Sequence, residues 1–375
     1  MANLTSGHKF NDDLLLEDAD RKWAEKRFPS IYHVLDHPQL RGLFDQFDIP
    51  AKRAKQTGFR AGFGAVIFGF AALAVASSEL LLGRPGSDDW TGVTLATISG
   101  ALGVLSFLVG TIGVLTAGRK RRWLHCRLMT ERLRQFHFQT FVFRFPEIID
   151  SLTDNVAKLQ FLSNRALWLD SFKVRIVGKL DSAFAAVIRD DDSAEAWLHD
   201  HVRRAPVVKV QDLNIEPLFD AYRELRLIHQ LDFADYKLQD DYNILSVMPR
   251  RQLTILSQIA VTWIALLFIM HLGILVGALL PHSIFSGFHT QYATVLIIWL
   301  ALAALAVRAL EQGLQPEREI ERYQQYRSGV RAILQRYDEA KNPDKKLEIM
   351  REMERLAFDE MRNFLITNDR SRFVM

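Results

Sequence analysis

Residues 92–122 read GVTLATISGALGVLSFLVGTIGVLTAGRKRR. Taken at alternating spacings of four and three, the stretch gives Gly92, Ala96, Ser99, Gly103, Ser106, Gly110, Gly113 and Ala117, every one of them small. It then runs into Arg119, Lys120, Arg121 and Arg122. The residues between the small positions are mostly Leu, Val, Ile and Phe. About 20 such residues in a helix span ~30 Å of hydrocarbon. The stretch therefore reads as a membrane-spanning helix with one face free of bulk and a basic cluster at its end.

Three further apolar blocks accompany it. The four lie at about 61–82, 92–117, 254–280 and 291–308, each close to spanning length. The near-zero mean hydropathy hides them, because it averages apolar blocks with highly charged ones. The fold class expected is an all-α integral membrane protein: four transmembrane helices in two hairpins, a helical cytoplasmic domain between them and a helical C-terminal tail. The segments expected are cytoplasmic N-terminal helices over 1–57, a hairpin over 58–117, a helical domain over 118–252, a second hairpin over 253–310 and a tail over 311–375.

Basic residues near the helix ends orient such a chain. Lys52, Arg53, Lys55 and Arg60 precede the first span, the basic cluster 119–122 follows the second, and Arg250 and Arg251 precede the third. The connections GRPGSDDW and PHSIFSGFHTQ carry almost no positive charge. Both termini and the 118–252 region are expected on the cytoplasmic side, with the basic residues meeting lipid headgroups. The net charge of +3 therefore says little about nucleic acid, since much of the basic excess flanks the spans; membrane lipids and no nucleic acid are expected as partners. The first ~50 residues are too charged for a secretory leader.

The first span carries its own small-residue seam: Gly58, Gly62, Ala65, Gly69, Ala72 and Ala76. Lipid tails are as apolar as leucine, so helices associate in a bilayer through close backbone approach, which small residues permit. A sustained period of 3.5 keeps that face toward a partner. The two seams are expected to zip into a tight antiparallel hairpin. The third and fourth spans carry bulkier Trp263, Leu266, Phe268, Trp299 and Leu302. Ionisable residues in spans are rare and face protein or water. Glu79 and His271 lie at similar depth and are expected to meet; Arg308 is expected to snorkel to headgroups.

Outside the spans the chain reads as helical. NPDKKLEIM places Asn342 as N-cap with Pro343 at the first helical position. APVVKVQDLNI is the one segment that looks extended. FHFQTFVFRFP, with Phe136, Phe138, Phe141, Phe143 and Phe145, alternates almost like a strand but is flanked by helix, and reads first as helix core. The two hairpins recur at an offset of about 194 residues, which suggests a duplicated unit.

No catalytic motif is present: there is no phosphate-binding G-x-x-x-x-G-K-[ST], no H-E-x-x-H and no G-x-S-x-G. His199 and His201 are an i, i+2 pair that would not share a helix face. RDDD at 189–192 reads as a solvated turn. The single cysteine, Cys126, reads as a packed small residue. No cofactor and no metal are expected, and the chain is not expected to be an enzyme.

The basic lead-in LFDQFDIPAKRAKQTGFR, the small-residue hairpin and the basic exit RKRRWLHCRLMTERLRQ together resemble the SLATT proteins. These are two-transmembrane effectors found beside nucleotide-signal synthases and SLOG domains in bacterial defence loci. The likeness covers about residues 41–145, with 250–370 as a candidate second copy, and centres on Trp123, Arg127, Thr130, Glu131, Leu133 and Arg134. The present chain departs from it in having four spans and a helical insert of about 100 residues. The resemblance implies a bacterial inner-membrane effector of an anti-phage system. It would form a homo-oligomer and breach the membrane when a cytoplasmic partner protein or signalling nucleotide acts on it. Two other readings fit the same features: a membrane-anchored scaffold that recruits a soluble enzyme, and a housekeeping channel or small transporter.

Overall fold

A computed structural model describes residues 12–82, 90–111, 117–189, 196–203, 215–240, 248–279 and 290–370. Among these every regular element is a helix. The long helices are α1 (Asp18–Arg27), α3 (Pro38–Leu82), α4 (Trp90–Gly110), α5 (Ala117–Phe143) and α7 (Asn155–Arg175), with the short α2 (Tyr32–Leu35) and α6 (Phe145–Thr153) between them. There follow α8 (Leu180–Ile188), α9 (Asp200–Arg203), α10 (Glu216–Tyr222), a π-helical turn (Arg223–Ile228) and α11 (His229–Lys237). The chain closes with α12 (Pro249–Leu279), α13 (Thr290–Leu314), α14 (Pro316–Glu339) and α15 (Pro343–Arg370).

Local chemistry accounts for several boundaries. The Asp154 carboxylate accepts from the N–H groups of Val156 and Ala157 and starts α7. Asn342 accepts from Asp344 N at 2.8 Å ahead of Pro343, which starts α15. The expected extended segment APVVKVQDLNI, apart from Ile215, lies outside the described residues, as do Gly113 and residues 190–192.

The described residues divide into two units. The first takes those within 12–52, 122–239 and 320–370; the second takes those within 53–121 and 240–319. Sequence segmentation treats the N-terminal helices, the insert and the tail as three pieces. In the structure all three contribute to one core. Leu14, Ile31 and Phe44 come from the first piece, Phe136, Phe138, Phe161 and Tyr222 from the second, and Val330, Tyr337 and Met350 from the third. Helix α5 is its centre, and most of residues 123–142 are buried. The phenylalanine run is helix core: Phe136, Phe138, Phe141 and Phe145 are all buried. Its near alternation reflects burial on every side of α5, which removes the need for a polar face.

The second unit is built the other way round. Four helices are long and apolar enough to cross a membrane. Large apolar side chains stand outward on all of them, among them Ile67, Phe107, Phe268 and Leu305. Water would not tolerate a surface of this extent, whereas hydrocarbon favours it. By length and composition these helices are compatible with a multi-pass membrane protein. Within the second hairpin Leu256, Ala260 and Val307 form a small core flanked by Trp263, Leu310 and Leu314. Ala293, Leu300, Ala303 and Val307 are buried along α13. The second hairpin thus also packs on a regular stripe, one of mixed size.

Candidate functional site

The site begins with the two small-residue faces of α3 and α4. Ser99 Oγ donates to the Ala72 carbonyl at 2.9 Å, and Ser106 Oγ donates to the Ala65 carbonyl at 2.8 Å. A Cβ on Gly110 would lie 3.5 Å from Ala65 Cβ, and one on Gly69 would lie 3.2 Å from Ser106 Oγ. The helices approach until side-chain hydroxyls reach the opposite backbone, which larger residues at these positions would prevent. The contact also recruits Gly64, which lies off the expected seam and faces Val109.

The seam is not in contact along its whole length. A Cβ at Gly103 would meet nothing within 4 Å, and Ala76 and Ala96 are exposed. The contact is therefore uneven even where the faces meet: Ser99 and Ser106 reach α3, while Gly103 between them stands clear of it. Gly58 and Gly62 are buried, Gly92 is half-buried, and the side chain of Ala117 lies outside the described set.

A polar tie joins the hairpins. Trp299 Nε1 on α13 donates to Ser77 Oγ at 2.9 Å and lies 3.1 Å from the Ala74 carbonyl on α3. Sequence reading places Trp299 only as bulk; its partners are more than 200 residues away. Replacing Trp299→Phe should cost about 1 kcal/mol, the scale of an interhelical hydrogen bond in a membrane protein. Unfolding titrations in mixed micelles would read this. An unchanged midpoint would remove the tie from the packing.

The expected meeting of Glu79 and His271 is not seen. The His271 ring bonds through Nδ1 to the Leu267 carbonyl of its own helix at 2.8 Å, and both residues are exposed. Arg308 pairs with Glu311 one turn on, at 2.6 Å. Among the basic flank, Lys52 pairs with Asp48 at 2.5 Å and Arg250 lies 3.8 Å from Asp240. Arg53, Lys55, Arg60, Arg121 and Arg122 are exposed, Lys120 and Arg251 are half-buried, and the side chain of Arg119 is not described.

The SLATT-like residues lie on α5 inside the first unit. Trp123 meets Phe364 edge-on at 5.6 Å, Leu133 is fully buried, and Thr130 Oγ1 donates to the Arg127 carbonyl at 2.9 Å. Glu131 pairs with Arg127 at 2.6 Å and with Arg134 at 3.0 Å. Arg134 in turn reaches the buried Asp13 at 2.6 Å. Burial alone would raise the Glu131 pKa, but the charges of Arg127 and Arg134 overcome it and hold the group at about 2. These residues form a charge chain that ties α5 to the N-terminal segment.

Two more buried arginines act similarly. Arg165 donates to the carbonyls of His33, Val34 and Asp36, each at 3.0 Å, at the C-terminal end of α2 where a cation is favoured. Burial lowers its pKa to about 10, with Asp36 opposing. Arg226, on the π-helical turn, forms a two-pronged pair with Glu354 at 2.8 and 2.9 Å. Tyr222 donates to the same carboxylate at 2.8 Å. Sequence alone offers little sign of this pairing, because Arg226 and Glu354 are 128 residues apart.

His199 and His201 do come together: their rings stack at 6.0 Å. His199 precedes α9, so the helical spacing argument does not govern it. Cys126 is a buried free thiol, and burial raises its pKa. Among the described residues no group of three or more His, Cys, Asp or Glu side chains is placed to hold a metal ion.

Comparison of the chain with protein families, with characterised proteins and with solved structures gives no match. The SLATT likeness rests on the quoted residues alone.

Proposed function

We propose that the chain is a bacterial inner-membrane effector that oligomerises and permeabilises the membrane when a cytoplasmic signal or partner acts on its first unit. The observation that carries this reading is the α3–α4 contact. Two apolar helices meet through Gly69, Gly110 and two serine hydroxyls, a packing loose enough in side-chain bulk to slide or part. Gly100, exposed and with open space around it, leaves α4 bare beside the α3 contact, suited to a second copy. The anti-phage role rests on the SLATT resemblance.

The test uses the short Ala65–Gly110 distance. Paired Ala65→Cys and Gly110→Cys substitutions, with Cys126→Ser, have a Cβ separation within the disulfide range of 3.5–4.5 Å. Oxidation should close an intrachain bridge in nearly all molecules. In potassium-loaded proteoliposomes, a chain whose first unit is loosened by Glu354→Ala should leak. The bridge should stop the leak, and reductant should restore it. A loosened chain, inserted but tight to potassium, would overturn the effector reading. Gly69→Leu should weaken the hairpin by about 1–3 kcal/mol through overpacking. The same unfolding titration reads it, and a loss below a few tenths would remove the seam from hairpin stability.

The scaffold reading keeps one supporting observation. Val156, Leu159, Leu167 and Val174 lie on one face of α7, all 63% exposed or more, in the unit without spanning helices. It predicts tight proteoliposomes in every variant above.

A further inference from the structure

A half-open cavity of about 160 Å³ lies in the first unit, beside α7 and the start of α9. Aromatic rings form much of its wall. Trp168 stacks against His201 with centroids 5.6 Å apart and planes 26° apart, and Phe172 meets His199 at 5.3 Å. Two guanidinium groups join them. Arg144 lies 4.6 Å over the Trp168 ring, and Arg175 stands nearby, paired with Asp200 at 2.5 Å.

The two arginines are held differently. Arg144 is fixed: it donates to Glu147 at 2.6 Å and to the His201 carbonyl. Arg175 is half exposed and so is its partner Asp200, so that ion pair adds little and is easily exchanged. Burial first, and then Arg144, push the His201 pKa down to about 3, with Asp200 opposing. The ring is therefore uncharged at pH 7, and adds no third cation beside Arg144 and Arg175.

An enclosed cavity of about 150 Å³ holds benzene, so this half-open one takes one small planar ring system with the rest of the ligand at its mouth. Rings stack on aromatic and guanidinium faces, and arginine binds carboxylate and phosphate by paired hydrogen bonds. We infer that this cavity binds a small planar molecule carrying an anionic group. The ring enters beside Trp168 and Phe172, and the anion exchanges with Asp200 for Arg175. Aromatic carboxylates and nucleoside monophosphates share this chemistry. The inference concerns binding alone, and its readout is separate from the flux measurement above.

Isothermal titration of the full chain in nanodiscs tests it, with AMP and indole-3-carboxylate as planar anions, adenosine as the neutral ring and inorganic phosphate as the bare anion. At least one planar anion should bind. Arg175→Gln should weaken it at least tenfold, and Ser171→Trp, which fills an exposed wall position, should abolish it. Which planar anion binds decides between the two sources. No binding by either, or binding indifferent to both substitutions, would overturn the site. Adenosine binding as tightly as AMP would overturn the anionic requirement, and phosphate binding as tightly would overturn the ring.

Discussion

Lowering the pH from 7 to 5 should cost the first unit about 4 kcal/mol of stability through two buried histidines. His37 and His137 are the main cause. Burial pushes His37 down to about 2 and His137 down to about 3, and Arg165 pushes in the same direction at both. The Nε2 atoms of both rings have no hydrogen-bond partner. In the unfolded chain these groups take a proton as the pH falls through about 6.5, whereas the folded chain excludes it until far lower. Stability is therefore complete above pH 6.5 and is lost as the pH falls toward the folded values. From 6.5 to 5 the loss is about 2 kcal/mol for each of these two rings. His201, held at about 3 but partly exposed, adds less, and His33, at about 4 and only half-buried, less again. The depressed Glu131 acts in the same sense only below its ordinary value of 4.5, outside this window. Thermal unfolding followed by circular dichroism should show the midpoint falling by roughly 10 °C or more. His137→Leu, which removes one titrating group, should flatten part of the slope. A midpoint independent of pH over this range would show that the buried imidazoles are hydrated.

The second large effect concerns Arg226 and Glu354. Arg226 is 1% exposed and Glu354 is fully buried. Burial works against the charge on Arg226, and Glu354 restores it, holding the guanidinium above its ordinary pKa. Glu354→Ala leaves that cation 4.6 Å over the Phe138 ring without its paired carboxylate, and takes from Tyr222 the group it bonds at 2.8 Å. Removing one partner of a buried pair costs about 3–5 kcal/mol. Arg226→Met combined with Glu354→Leu should cost less than either single change, because no charge is then left buried alone. A double-mutant cycle by denaturant titration measures this, and the expected coupling is about 2 kcal/mol or more. A single Glu354→Ala loss below 1 kcal/mol would mean that water reaches Arg226. The 118–252 region is no separable module for the same reason: its removal would leave Glu354 without Arg226.

The two effects belong to one design of the first unit. Its central helix α5 carries His125, Thr130, Arg132, Arg134, Gln135, His137, Gln139 and Thr140 in buried positions. Buried polar groups need partners. Arg132 reaches Gln135 at 2.9 Å and the Trp197 carbonyl at 3.1 Å, while Gln139 binds the same carbonyl at 2.7 Å. Such networks are strong while complete and costly when one member is removed or charged.

Some of this was legible in the chain itself. The spans are, because 20 consecutive apolar residues have few other uses, and so is the seam, because Gly69, Ser106 and Gly110 bear small side chains wherever they sit. The Asn342–Pro343 start of α15 is likewise a local matter of one side chain and one ring. The charge chain was not legible. Arg134 and Asp13, or Arg226 and Glu354, look in sequence like ordinary residues of solvated helix faces. Their burial depends on α5 being surrounded, which no local pattern records.

By itself the sequence determined the helical class, the four apolar helices and the small faces, since these follow from side-chain size, periodicity and transfer free energy along one stretch of chain. Only the tertiary structure decided that three remote segments share one core, that Gly103 stands open while Gly64 is packed, that Trp299 reaches Ser77, and that His271 bonds to Leu267 of its own helix. Each of these depends on which atoms arrive within about 4 Å of each other, the range over which dispersion and hydrogen bonding act.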